Sequence, residues 1–95
     1  MMPSVTSLEQ NYPNPFNPVT TISFAIAEPG QVSLRIYNTA GQLVSVLVDE
    51  SREAAYYEEI WDGTGRNGSA VASGIYFFRL VTGGFVETRK MVLLR

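Results

Sequence analysis

Apolar side chains recur at every second position through most of this chain, the spacing of strands that bury one face. Ile22, Phe24 and Ile26 alternate with Thr21, Ser23 and Ala25. Beyond a turn at Pro29-Gly30, Val32, Leu34 and Ile36 alternate with Ser33, Arg35 and Tyr37. A turn over 38–41 leads to a third strand, 42–48, whose facing the alternation leaves undefined. The charged stretch 49–53 reads as a loop before a strand over 54–61. Residues 62–68 are dense in Gly, Asp and Asn, which accept positive φ, so they form a loop. Strands over 75–82 and 85–94 flank a Gly83-Gly84 turn. Adding a short strand near 8–12 gives about seven strands with frequent turns, the pattern of an antiparallel β-sandwich. No stretch of about ten residues free of breakers has helical spacing.

Ahead of the regular alternation stands Asn11-Tyr12-Pro13-Asn14-Pro15-Phe16-Asn17-Pro18. Each proline removes a donor and pushes the residue before it out of the α region. Helix is excluded, and so is a central strand. What is left is a stiff ribbon whose asparagines bond local backbone and whose Tyr12 and Phe16 are placed to pin it to a core. A rigid lead-in to the domain and part of a recognised module are both consistent with it.

Ninety-five residues make one domain, read here as a stub over 1–7 and a sandwich over 8–95. At 45% hydrophobic and 17% charged the chain folds rather than remaining a disordered tail. Seven basic residues against nine acidic ones, a net charge of −2, argue against nucleic acid as a partner. Arg89, Lys90 and Arg95 nevertheless cluster at the end. No apolar run approaches the roughly 20 residues of a membrane helix, so a membrane-spanning role is not expected. The first residues lack the basic and apolar regions of a signal peptide, as expected of a piece of a longer exported protein.

The chain has no histidine and no cysteine, which removes the usual general bases, thiol nucleophiles and zinc ligands. Lys90 is the sole lysine, and nothing marks a serine to work with it. Glu58 and Glu59 are adjacent on a strand, point to opposite faces and cannot flank one glycosidic bond. An enzyme is not expected, and no cofactor is implied. In the 62–68 loop Asp62, Thr64 and Asn67 are weak candidates for calcium, but Arg66 stands where an EF-hand-like pattern wants an oxygen. A hairpin connection explains the same glycines without an ion. Eleven aromatics include Tyr56-Tyr57 and Tyr76-Phe77-Phe78, which must fill both faces of their strands. Exposed members could stack on sugars, form a docking surface or pair across strands.

Four blocks in order, "NYPNPFNPVTTISFAI", "VSLRIYNTAGQLVSVLV", "WDGTGRNGSAVASGIYFFRL" and "KMVLLR", resemble the type A C-terminal sorting domain of type IX secretion. The resemblance covers residues 8–95. It implies an immunoglobulin-like β-sandwich at the C-terminus of a larger exported protein of Bacteroidetes-like bacteria. The implied partners are a cargo domain on the N-terminal side, an outer-membrane secretion translocon and a sorting protease that commonly removes the module. The implied route is periplasm, then cell surface, where cargo is often joined to lipopolysaccharide. Two departures stand out. Ala54-Ala55 lies where the family often has glycine, and the blocks around Trp61 and Tyr76 also resemble the immunoglobulin-like domain of the flagellar hook-capping protein.

The expectation is therefore a non-catalytic sorting and anchoring module. The machinery contacts are expected at Lys90, Met91, Leu93 and Arg95, because an end strand with a free terminus can be added to a partner's sheet edge. Ordinary core positions are the plainer account of Met91 and Leu93. A carbohydrate-binding module and a structural immunoglobulin-like spacer or hook-cap-type domain are the alternatives.

Overall fold

The computed structural model describes residues 2–95; Met1, the first residue of the expected stub, lies outside them. Seven strands follow in order: β1 (Ser7–Leu8), β2 (Thr20–Ile26), β3 (Gly30–Tyr37), β4 (Leu43–Arg52), β5 (Ala55–Trp61), β6 (Gly74–Thr82) and β7 (Phe85–Leu93). They pair antiparallel as β1-β2-β5 and β4-β3-β6-β7. No helix occurs among the described residues. The result is the all-β, immunoglobulin-like sandwich that the alternation and the resemblance predict.

The inward positions of the alternation build the core. Ile22, Phe24 and Ile26 join Val32, Leu34, Ile36, Phe78 and Leu80 in one buried cluster. Each such side chain contributes about 1.5–3 kcal/mol on burial, which is how a chain without disulfides holds two sheets together.

Three element boundaries differ from the sequence reading, each for a local reason. The strand near 8–12 shrinks to Ser7–Leu8, with Tyr12 rejoining β2 only through a single bridge to Thr21. Residues of the expected stub are part of the sandwich: Ser7 pairs with Ala25, and Ala27 N donates to Thr6 Oγ1 at 3.0 Å. The charged segment 49–53 is mostly strand, because β4 continues alongside β3 to the Gly30–Arg52 pair. An edge strand tolerates such charge. Asp49 accepts from Gln31, and Arg52 bridges Glu50 and Glu59.

The undefined facing of β4 also has a cause. Its register against β3 slips between Leu34 and Arg35 and again between Ile36 and Tyr37. Each slip leaves one residue of β4 opposite no partner, first Leu47 and then Val44, and both pack against the core. Two bulges are enough to break period two.

Candidate functional site

The proline ribbon lies along the outer edge of the last strand. β7 pairs with β6 over its whole length, so one edge is filled. On the other edge, Phe16 N donates to Val92 O at 3.0 Å and Leu94 N donates to Phe16 O at 2.8 Å. The preceding donor on that edge, Val92 N, is taken by the side chain of Asn14 at 3.0 Å. A ribbon with prolines at 13, 15 and 18 offers few backbone donors, so it uses Phe16 and a side-chain oxygen where an ordinary strand would use a ladder. The terminal strand is therefore held on both sides rather than free.

Asn11 anchors the start of the ribbon. It is 2% exposed, donates to Thr20 Oγ1 at 3.0 Å and to Pro13 O at 3.2 Å, and accepts from Gln10 at 2.8 Å. Tyr12 was expected to pin the ribbon and does not, being 82% exposed with only its backbone paired to Thr21. The pin is Phe16, 2% exposed. The remaining ribbon residues Pro13, Pro15 and Asn17 are exposed, and Pro18 is half-buried.

Phe16 reaches the glycine-rich loop through Trp61. Their ring centroids are 5.8 Å apart, and Trp61 meets Tyr76 edge-on at 5.3 Å. The indole N–H, which a buried tryptophan must satisfy, donates to Thr64 O at 2.9 Å. Tyr76 donates its hydroxyl to Ala72 O at 2.7 Å. Burial raises the Tyr76 pKa above its ordinary value, and the nearby positive charge of Arg95 offsets part of the rise.

Arg95 closes the arrangement. Its guanidinium donates to the carbonyls of Gly63 and Val71, and its backbone N–H donates to Ser73 Oγ at 2.9 Å. The ribbon, the Trp61 loop, the start of β6 and the chain's last residues thus form one clasp at one end of the sandwich. Three of the four blocks read in the sequence meet there. The fourth, over 32–48, touches it where Arg66 N donates to Val44 O at 3.0 Å.

The candidate calcium ligands serve the loop itself. Asp62 Oδ1 accepts from Thr64 N and Thr64 Oγ1, and Asn67 Oδ1 accepts from Ser69 N, both tight Asx turns. A bridge between Thr64 and Ala70 makes the segment a small hairpin. Of the expected contact residues, Lys90 is exposed on the outer face of β7, opposite Phe77. Met91 and Leu93 are fully buried in the core, and Arg95 is engaged with the loop. Sequence reasoning missed the parts played by Gly63, Val71 and Ser73, which show only as loop residues. The tryptophan beside Asp62-Gly63 signals only its own N–H partner, Thr64 O, and no local pattern marks the three residues that receive Arg95.

The family described as the secretion system C-terminal sorting domain matches residues 10–94. No curated protein matches. Among solved structures, the chain is similar to dimeric latent PorU from Porphyromonas gingivalis, with TM-score 0.75 and 22% identity over 95% of this chain and 9% of that one. It is also similar to PorZ, an essential surface component of the type-IX secretion system of the same organism, with TM-score 0.64 and 24% identity. That match covers 94% of this chain and 12% of PorZ, so this chain spans about a tenth of either protein. At these identities the structural likeness carries the fold, and the family match carries the assignment. The chain belongs to the secretion system C-terminal sorting domains, the family that directs cargo into type IX secretion.

Proposed function

We propose that this domain is a folded, non-catalytic address, carried behind a larger cargo and read by the type IX outer-membrane translocon on the way from periplasm to cell surface. A sorting protease then acts on the cargo–domain junction. The observation that carries this reading is the clasp, which gathers the motif blocks of the family at one end of the sandwich, partly buried through Phe16, Trp61 and Tyr76 and partly exposed. Lys90 offers an exposed cation beside it. Met91 and Leu93 contribute by seating the strand, and Arg95 by fixing the end of the chain against the loop.

The test is a reporter with its own signal peptide fused ahead of residues 8–95 in a host with a type IX system. It is expected at the cell surface, and removal of residues 90–95 is expected to leave it in the periplasm. Surface delivery that survives the removal would overturn the reading.

A further inference from the structure

The outer face of the four-stranded sheet carries a charge pattern that neither the fold nor the clasp explains. β3 and β6 contain no acidic residue, and the only one on β7, Glu87, sits on the inward side opposite Leu80 and pairs with Arg89. The outward positions of these strands nevertheless include Arg35, Arg79 and Lys90. On a chain of net charge −2 this face is cationic. Asp49, opposite Ser33 on β4, accepts from Gln31 instead of meeting either arginine.

Arg35 and Arg79 are direct cross-strand partners. Like charges in that relation are unfavourable, and a fold under no other demand avoids them. Arg79 lies over the Tyr37 ring at 5.1 Å and donates to Thr88 Oγ1 at 3.1 Å. Arg35 Nε is buried and donates to nothing. Beside the pair, Tyr37 and Phe77 are themselves cross-strand partners and line a shallow groove of about 300 Å³ together with Arg79, Thr88 and the turn residues Asn38, Thr39 and Gly41. Two guanidinium groups that meet no carboxylate of the described residues, next to an aromatic groove, form a receptor for a carboxylate followed by an apolar side chain. Guanidinium groups favour planar oxyanions because their N–H groups match the two oxygens.

We propose that this face docks an acidic, extended peptide segment of a partner protein, with a carboxylate between Arg35 and Arg79, an apolar side chain on Tyr37 and Phe77, and Lys90 meeting the next acid. A peptide is favoured over a polyanion because exposed Val46, opposite Arg35, and exposed Ile75, two residues before Phe77, flank the cations with apolar surface, which suits mixed acidic and apolar side chains better than a uniform run of charge.

The full chain, labelled with ¹⁵N, is titrated with a short glutamate-rich peptide carrying one phenylalanine, its glutamine counterpart, heparin and inorganic phosphate. The glutamate peptide is expected to shift the Nε–H signals of Arg35 and Arg79 and the amides of Tyr37 and Phe77, and to lose affinity with added salt. The glutamine peptide is expected to bind at least about tenfold more weakly, since it lacks the charge-assisted bonds. The double variant Arg35→Gln/Arg79→Gln, checked for an unchanged core spectrum, is expected to abolish the shifts, and a double variant that fails that check is replaced by Arg79→Gln alone. Equal binding of the glutamine peptide, shifts confined to other surfaces, or tighter binding of heparin or phosphate than of the peptide would overturn the proposal.

Discussion

Arg95 closes on the carbonyl of Gly63, 32 positions earlier in the chain. Gly63 suits that contact in two ways. Its φ is +76°, and a Cβ there would lie 2.7 Å from the Arg95 guanidinium and 3.2 Å from Pro18 O. Gly63→Ala therefore combines backbone strain of about 1–2 kcal/mol with displacement of the clamp. A fall in Tm of about 4–8 °C per kcal/mol is expected by calorimetry. Gly84→Ala, where nothing stands within 4 Å, is the control and is expected to shift stability by about 0.5 kcal/mol or less.

The two ribbon aromatics are expected to separate cleanly. Phe16→Ala empties a buried site against Trp61 and is expected to cost about 3–5 kcal/mol in denaturant unfolding. Tyr12→Ala removes an exposed ring and is expected to cost about 0.5 kcal/mol or less. Equal losses would contradict the assignment of Phe16 as the pin.

Tyr76 gives the clasp an alkaline limit. Burial raises its pKa above the ordinary 10.0, so the folded state holds the phenol proton more tightly than the unfolded chain does. Its contribution is complete below about pH 10 and is lost as pH rises through the folded value, because there the unfolded state binds fewer protons. Tyr76→Phe is expected to cost about 1 kcal/mol at neutral pH, for the bond to Ala72, and to flatten the alkaline decline. An unchanged decline in the variant would show that other groups set it.

In the loop, Asp62→Ala removes an acceptor used twice by Thr64 and is expected to cost about 1 kcal/mol. Asp62→Asn retains the acceptor and is expected to lose less. Calcium is expected to leave both Tm values in place. A chelator that lowered the wild-type Tm by more than about 5 °C would instead make the loop a metal site.

The sandwich was legible because the alternation in β2 and β3 is uninterrupted, and a side-chain period of two has one structural meaning. β4 was not, because the bulges at Val44 and Leu47 depend on a partner strand that local sequence does not reveal. The clasp was half legible. Prolines 13, 15 and 18 announced a ribbon, but its seat on β7 rests on Asn14 and Phe16 meeting residues nearly 80 positions away. The burial of Met91 and Leu93 follows from β7's alternation, while the engagement of Arg95 with Gly63 and Val71 does not follow from any pattern near the terminus.

The central claim is that a surface at the clasp, and not the stability of the sandwich alone, addresses cargo for export. The measurement that tests it most directly is the surface-exposed fraction of a reporter fused to residues 8–95, compared with the double variant Lys90→Gln/Arg95→Gln, alongside the Tm of each purified domain. Lys90 is exposed, so its change is expected to be nearly neutral for folding, while loss of the Arg95 clamp is expected to cost about 1–3 kcal/mol and leave the buried core in place. The predicted result is a domain still cooperatively folded at the growth temperature with its reporter retained in the periplasm. Full surface delivery by that folded variant would contradict recognition at this end of the chain.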